Sequence, residues 1–193
     1  MKTGIVFAGV GGQGVLTASS ILGIAALKSG VNVIMSEVHG MAQRGGVVVT
    51  EMNIGDARSP LVGNGEADFI VGFEPVEAYR ILHKARKGAH VIVNTEPIVP
   101  ITASLGTAKY PNVEDLIARM KNVKVHPLEA TQIAREVGNV ITANIVMLGA
   151  LSAVPEFPVD KESIIEAIKE RFPPRHHEIN LRAFEEGARA VKE

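Results

Sequence analysis

The sequence contains no cysteine and no tryptophan, and aromatic residues make up only 4% of its 193 residues. The absence of cysteine excludes disulfides, thiolate zinc sites, cysteine nucleophiles and cysteine-ligated iron–sulfur clusters within the chain. The low aromatic content offers no stacking platform for an indole or adenine ring. If the protein belongs to a redox system, another polypeptide must therefore carry the clusters.

An excess of charge of either sign is also missing. The chain has 20 basic and 21 acidic residues and a net charge of −1, which argues against broad binding to nucleic acid or to an acidic membrane surface. The longest uncharged stretch runs from Val137 to Pro155, but it contains Asn139 and Asn144 and fits a buried or interface helix better than a membrane span. No secretory signal is visible, so we expect a cytoplasmic protein.

The common catalytic and metal-binding motifs are absent as well. The sequence has no H-E-x-x-H motif, no P-loop and no nucleophile elbow. The adjacent histidines His176 and His177 would point about 100° apart on a helix, which disfavours joint chelation. The sequence therefore predicts no metal site, and it assigns no catalytic residue.

Short apolar, β-branched runs alternate with helical patterns along most of the chain. This alternation predicts an α/β fold of three layers, with a mostly parallel, Rossmann-like sheet and helices on both faces. The predicted helices are Val15–Ser29, Pro75–Lys87, Leu128–Val137 and Val140–Ala153. The predicted strands are Ile5–Ala8, Val31–Met35, Val47–Asn53, Phe69–Gly72, Ala89–Asn94 and Val123–His126.

The chain becomes richer in charge from Glu156 onward. Two amphipathic helices fit this part, separated by Pro173 and Pro174, with apolar stripes that include Ile164 and Phe184. We interpret residues 1–155 as the α/β domain and residues 156–193 as a helical C-terminal appendage that packs on the same domain.

The strongest local signal is a glycine loop that follows the first strand and precedes the first helix. Glycine permits the sharp turn and lets a phosphate approach backbone N–H groups at a helix N-terminus. With Glu37 after the second strand, the spacing matches a dinucleotide fingerprint, whereas glycines that serve only close packing would look the same. The loop residues are Gly9, Val10, Gly11, Gly12, Gln13 and Gly14.

A second glycine-rich segment, residues 37–46, joins the second and third strands. If the first two strands are parallel, this segment lies at the same end of the sheet as the glycine loop, where ligands usually bind. Arg44 could clamp a phosphate or carboxylate there, or it could cap backbone carbonyls or pair with Glu37. His39 could polarise a carbonyl or form a structural hydrogen bond.

Together, the glycine loop and the run Gly40-Met-Ala-Gln-Arg-Gly-Gly46 resemble the gamma-type subunit of the 2-oxoacid:ferredoxin oxidoreductases. The second run is most similar to the beta subunit of the indolepyruvate branch. Further matches are Gly65-Glu-Ala-Asp68, Glu74-Pro-Val-Glu-Ala78 and Asn144-Ile-Val-Met-Leu-Gly149, so the resemblance spans roughly residues 3–190.

The resemblance implies a subunit that supports oxidative decarboxylation of arylpyruvates to aryl-acetyl-CoA, with reduction of ferredoxin. Thiamine diphosphate and the iron–sulfur clusters belong to a larger alpha subunit, and this chain binds no cofactor alone. Coenzyme A is expected near this subunit, at a shared site. The chain would then be inactive by itself and would reach ferredoxin only through the complex.

The resemblance also suggests that the two glycine segments form one wall of a composite site. The candidates for holding a ligand are Gly9, Gly11, Gly12, Gln13, Gly14, Arg44, Gly45 and Gly46. The candidates for the subunit interface or a ligand contact are Glu37, His39, Met41 and Asn144. Three alternatives stay open: a stand-alone NAD(P)- or FAD-binding protein, a non-catalytic assembly module, and the gamma subunit of another 2-oxoacid ferredoxin oxidoreductase.

Overall fold

The computed structural model describes residues 2–39 and 45–191, apart from the side chains of His39 and Thr102. Within these residues the strands are β1 (Lys2–Val10), β2 (Val33–His39), β3 (Val47–Gly55), β4 (Ala67–Gly72), β5 (Ala85–Asn94) and β6 (Lys124–Leu128). The helices are α1 (Val15–Lys28), α2 (Pro75–Arg80), α3 (Ile101–Ser104), α4 (Val113–Ala118), α5 (Ala130–Val137), α6 (Ala143–Ala153), α7 (Lys161–Arg171) and α8 (His177–Ala190).

The six strands form one sheet in the order β2-β3-β1-β4-β5-β6. Strand β1 is parallel to β4, β4 to β5, and β5 to β6, whereas β3 is antiparallel to both of its neighbours, β1 and β2. Because β1 and β2 both oppose β3, they run in the same direction. The mostly parallel sheet predicted from the sequence is confirmed, with β3 as the reversed strand.

Helices cover both faces of the sheet, as the alternation of side chains along β1 shows. Ile5 and Phe7 join the larger apolar cluster, which includes residues of α1 and of α5 to α8. Val6 points the other way and joins a smaller cluster with Ala78 of α2 and Met120, which follows α4. The predicted three-layer arrangement is therefore confirmed.

The predicted helix Pro75–Lys87 is wrong in its second half. Helix α2 ends at Arg80, a short 3₁₀ turn follows at residues 82–84, and β5 begins at Ala85. Tertiary ion pairs explain the difference. Lys84 Nζ lies 2.9 Å from Glu51 Oε1, and Arg86 Nε lies 2.5 Å from Asp68 Oδ1. The basic residues that resemble a helix C-terminus instead anchor the chain as it enters the sheet.

Two other helices begin later than predicted. Leu128 is the last residue of β6, so α5 begins only at Ala130. A 3₁₀ turn occupies residues 140–142 before α6, because Asn139 accepts a hydrogen bond from the backbone N–H of Ile141. Residues 144–151 of α6 are all buried, which confirms that the uncharged stretch forms an interior helix.

The two C-terminal helices contribute to the larger apolar cluster. Helix α7 packs on α1, and α8 packs on α6. Ile164, Ile168 and Phe184 are buried in that cluster. Helices α6 and α8 approach closely at Gly149 and Gly187, where an added Cβ would lie 2.0 Å from a carbonyl oxygen of the facing helix. The boundary at residue 155 stays a prediction. Among the residues described, no helix combines the length and apolarity needed to cross a bilayer.

Candidate functional site

A crevice forms between the two central parallel strands, β1 and β4, because the helices that follow them leave toward opposite faces of the sheet. Strands β1 and β4 are neighbours, yet α1 leaves β1 toward one face of the sheet and α2 leaves β4 toward the other. In open α/β sheets, ligands bind outside the carboxyl ends of the strands at such a switch point. Gly9 and Val10 are the last residues of β1, and the rest of the glycine loop, residues 11–14, follows it, while Phe73 and Glu74 follow β4. Both connections lie at this point.

The glycines of the loop serve different purposes. Gly12 and Gly14 adopt left-handed conformations, with φ of 106° and 77°, which side chains rarely tolerate. Gly9 is buried, and a Cβ there would lie 2.8 Å from both Phe73 Cβ and Val15 Cγ2. Gly9 therefore permits close packing, as the structural interpretation of the motif expects. Gly12 is exposed, and a Cβ on it would meet nothing within 4 Å, so space for a ligand lies beside the loop.

Gln13 closes the loop on itself. Its Oε1 accepts a hydrogen bond from the backbone N–H of Val10 at 2.8 Å, and its Nε2 donates to the carbonyl of Phe73 at 2.7 Å. These bonds fix the loop against both strands of the switch point. The spacing of the motif gives no indication of this function, because Phe73 lies 60 residues further along the chain.

The second glycine segment returns to the glycine loop, as expected for parallel β1 and β2. The N–H of Gly11 donates to the carbonyl of Gly46 at 2.8 Å, and the N–H of Gly45 donates to the carbonyl of Gly11 at 3.4 Å. The predicted proximity of the two loops is confirmed for Gly45 and Gly46. Arg44 and Met41, by contrast, lie outside the described residues.

Glu37 does not take the position that a dinucleotide fingerprint requires. It is exposed on β2 and pairs with Thr50 of β3, and β3 separates it from β1. Two strand spacings, about 10 Å, therefore separate β2 from β1. An acidic residue on β2 contacts the ribose when β2 is the neighbour of β1, so this topology disfavours the dinucleotide interpretation. His39 is the last residue of β2, at the crevice end of the sheet.

The N-terminus of α1 faces the crevice without a side-chain cap. Gly14 is the N-cap residue, and among the described residues no side chain accepts from the first turn. The N–H groups of that turn are therefore donors available to an anion, supported by the helix dipole. Asn144 of α6 is buried, and its Nδ2 lies 3.4 Å from the carbonyl of Gly14, so it ties the start of α1 to α6.

Two cavities flank the glycine loops. The smaller cavity, about 240 Å³, lies on the α6 side and is lined by Gly12, Gln13, Phe73, Asn94, Glu96, Ile98, Thr131, Val140, Ile141, Ala143 and Met147. The larger cavity, about 590 Å³, lies on the α2 side and includes Val10, Gly45, Glu74, Glu77, Arg80, Ile98, Ile101, Lys109 and Tyr110 among its lining residues. The loop wall therefore has space on both sides.

Glu74 organises the larger cavity. Its Oε2 caps α2 by accepting from the N–H of Glu77 at 2.9 Å, and its Oε1 accepts from the hydroxyl of Tyr110. Burial and the Glu74 carboxylate both raise the pKa of Tyr110, so the phenol stays protonated and remains a donor. Burial also raises the pKa of Glu77, although its partner Arg80 opposes the shift. The acidic residue at the start of α2 is a recognisable helix-capping pattern. The hydrogen bond from Tyr110 to Glu74 leaves no such pattern, because the two residues are 36 positions apart.

His177, the first residue of α8, has structural contacts. Nε2 of His177 lies 2.7 Å from the carbonyl oxygen of Phe172 and 2.9 Å from that of Lys169, which joins α8 to the end of α7. Among residues 2–39 and 45–191, no cluster of three or more His, Asp or Glu side chains is arranged to hold a metal ion.

The family model described as pyruvate ferredoxin/flavodoxin oxidoreductase matches residues 4–190. The chain belongs to this family. Its fold is shared by the gamma subunit of a keto/oxoacid ferredoxin oxidoreductase from Geobacter sulfurreducens, at 26% identity, a TM-score of 0.74 and 98% coverage of each chain. A pyruvate oxidoreductase subunit, PORC, from Thermotoga maritima is similar at 26% identity and a TM-score of 0.76, covering 97% of this chain and 96% of that one.

The chain is also similar along its length to named oxidoreductase subunits. It is 44% identical to indolepyruvate oxidoreductase subunit IorB of Thermococcus kodakarensis, covering 98% of this chain and 96% of that protein. The IorB of Methanothermobacter thermautotrophicus is 41% identical with full coverage of both chains. The 2-oxoglutarate synthase subunit KorC of the same organism is 32% identical, covering 98% and 95%. The resemblance inferred from the two glycine segments is confirmed.

Proposed function

We propose that this chain is the small, cluster-free subunit of an indolepyruvate:ferredoxin oxidoreductase. In the overall reaction, an arylpyruvate and coenzyme A give aryl-acetyl-CoA and carbon dioxide, and the electrons pass singly to ferredoxin. The higher identity to the indolepyruvate subunits, 41–44% against 32% for the 2-oxoglutarate relative, favours this substrate class. The chain has no cysteine, so thiolate-held clusters require a larger partner subunit, which we expect to hold thiamine diphosphate as well.

The single observation that supports a composite site is the pairing of the two glycine segments. Gly11 and Gly46 are hydrogen-bonded at the crevice edge, beside the uncapped N-terminus of α1. This arrangement suits an anionic group such as a phosphate of coenzyme A, which the N–H groups of Gly12, Gly14 and the first turn of α1 would hold, because those of Gly11 and Gln13 donate to the carbonyls of Gly46 and Val10. We assign the chain binding and positioning functions and propose no catalytic residue for it.

Exposed apolar side chains surround the crevice and support coverage by another subunit. Ile101 is 76% exposed and Ile141 is 78% exposed, on opposite sides of the glycine loops, and Ile98 lies between them at both cavities. Apolar surface of this kind, next to a polar site, is typical of a protein contact. We therefore propose that the larger subunit covers the crevice end of the sheet.

Reconstitution tests the proposal. The purified chain alone should turn over no arylpyruvate, whereas the chain with its larger subunit, thiamine diphosphate and coenzyme A should reduce ferredoxin. Turnover by the isolated chain would contradict the proposed division of labour. A preference for 2-oxoglutarate or pyruvate over indolepyruvate would reassign the substrate class.

Gly12→Ala is the sharpest variant for the site. An alanine at this left-handed position strains the loop and places a methyl group where the ligand would approach, so the KM for coenzyme A should rise about tenfold or more. Gly65→Ala is the matched control. Gly65 is also left-handed, with φ of 74° and open space around it, but it precedes β4 and so lies at the end of the sheet opposite the crevice. Equal KM values for the two variants would show that the glycine loop is not part of the coenzyme A site.

A further inference from the structure

Asn94 occupies a central position at the crevice although it belongs to neither glycine segment. It is the last residue of β5, is only 3% exposed and lines the smaller cavity. Its Nδ2 donates to the carbonyl of Phe73 at 3.2 Å and to Thr131 Oγ1 of α5 at 3.0 Å. A buried amide that bridges two elements in this way requires these partners, because an unpaired donor would be costly.

The carbonyl of Phe73 connects Asn94 to the glycine loop. This oxygen also accepts from Gln13 Nε2 at 2.7 Å, so its two acceptor sites are both used. The backbone N–H of Phe73 donates to the carbonyl of Ala8 in β1. The ends of β1, β4 and β5 are thereby joined through the backbone of one residue, Phe73, and the position of its carbonyl determines where Gln13 holds the loop.

Thr131 provides the other half of the arrangement. Since its oxygen accepts a hydrogen bond from Asn94, the hydroxyl hydrogen is available to an acceptor on another side. Thr131 lines the smaller cavity beside Gln13 and Gly12, and Val140 and Ile141 lie at the same cavity. The hydroxyl is therefore a donor that a ligand oxygen can reach.

Resting on the proposed function, we infer that Asn94 is the positioning residue of the crevice. Through the Phe73 carbonyl it fixes the glycine loop, and through Thr131 it directs a hydroxyl donor into the smaller cavity, toward a carbonyl or phosphate oxygen of the ligand. Asn94 acts through its neighbours, whereas Thr131 contacts the ligand directly.

Asn53 provides a matched control for Asn94. It is also a buried strand amide, 1% exposed, whose Nδ2 donates to two acceptors, the carbonyls of Ser59 and Leu61 at 2.9 and 3.1 Å. It pairs with Gly4 near the start of β1, so it lies toward the end of the sheet opposite the crevice. Asn53→Ala and Asn94→Ala should therefore lose comparable global stability, while only Asn94→Ala affects the crevice.

The first measurement is amide hydrogen exchange on the intact chain, which needs no turnover. Asn94→Ala should speed exchange of the amides of residues 10–14 by about tenfold or more, while Asn53→Ala leaves them at the wild-type rate. Equal exchange in the two variants would overturn the positioning function. Because this comparison is independent of catalysis, it gives a decision even if the indolepyruvate assignment fails.

The second measurement uses the assembled complex and coenzyme A. Thr131→Val removes the hydroxyl at nearly constant volume and should raise the Kd and KM for coenzyme A about threefold to tenfold, with kcat little changed. Thr131→Ser should restore wild-type values. A wild-type Kd in Thr131→Val would overturn the donor assignment. Absence of coenzyme A binding by the wild-type complex would instead overturn the proposed function.

Discussion

At the scale of single residues, two stacked imidazoles make stability sensitive to acid. Nδ1 of His90 lies 2.9 Å from Nε2 of His126, and the ring centroids are 5.2 Å apart. Burial lowers the pKa of His90, and the charges of His126, Lys124 and Arg86 lower it further, with Glu156 opposing. Burial and Lys124 also lower the pKa of His126. The folded chain therefore favours the uncharged pair, which shares one hydrogen bond.

We predict that the free energy of unfolding falls as the pH drops below the ordinary histidine pKa of 6.5. The unfolded chain binds protons first, because both pKa values are depressed only in the folded state, so the stabilising effect is complete above that pH and is lost below it. Urea unfolding of the wild type between pH 7.5 and pH 5 measures the slope.

His90→Gln tests the origin of that slope. The variant removes one titrating ring and should flatten the pH dependence, whatever its effect on stability at neutral pH. His176→Gln, at an exposed position, should keep the wild-type slope. Identical slopes in all three proteins would show that the stacked pair does not cause the acid sensitivity.

At the scale of secondary-structure elements, a close helix crossing holds the C-terminal helices in place. A Cβ on Gly149 would lie 2.0 Å from the carbonyl oxygen of Phe184, and one on Gly187 would lie 2.0 Å from that of Val146. Backbone cannot yield as a flexible side chain can, so α6 and α8 can approach this closely only because both positions lack side chains.

Gly149→Ala should destabilise the chain by about 3 kcal/mol or more, because overpacking against backbone forces the helices apart. Gly23→Ala is the contrast within α1. A Cβ there would lie 3.7 Å from Met35 Sδ, an ordinary contact, so the substitution should be neutral or stabilise by about 0.5 kcal/mol. Thermal unfolding of both variants measures the difference, and equal melting temperatures would contradict the tight crossing.

The sequence predicted elements more reliably than the contacts between them. All six strands appear close to the predicted places, because each is a local apolar run bounded by turn residues. The second strand is the least accurate, because β2 starts at Val33 rather than Val31 and continues to His39, through residues 37–39 that were predicted as a loop. The reversed direction of β3 was not predicted, since pairing depends on residues far apart in the chain. The hydrogen bonds of Gln13 to Phe73, of Asn94 to Thr131 and of Tyr110 to Glu74 join residues 36 to 60 positions apart and leave no local pattern.

At the scale of the whole molecule, the exposed apolar side chains are unevenly distributed. Several of the most exposed ones, Ile101, Leu105 and Ile141, lie on segments that follow β5 or precede α6, at the crevice end of the sheet. Leu27 is 60% exposed as well, but it lies at the far end of α1. This distribution is consistent with the proposed contact around the ligand crevice.

Ile141→Asp should weaken association with the larger subunit about tenfold or more, because it buries an unpaired charge in an apolar contact. Leu27→Asp also replaces an exposed apolar side chain with a carboxylate, but near the C-terminus of α1, far from the crevice. It should leave the affinity for the larger subunit unchanged. Co-purification or calorimetric titration of the two subunits provides the measurement. If both variants bind like the wild type, the contact surface lies elsewhere.

The reversed β3 also has an evolutionary consequence. It pairs with β1 without interruption from Lys2↔Gly55 to Val10↔Val47. On its other side it pairs with β2 without interruption from Val33↔Ile54 to His39↔Val48. Sliding β3 by one residue would exchange its inward and outward side chains, so residues gained or lost between β2 and β3 cannot be absorbed by the sheet. Changes of length would instead fall in the connection that ends at Gly45 and Gly46, beside the ligand crevice, so relatives of this chain can vary there without rebuilding the sheet.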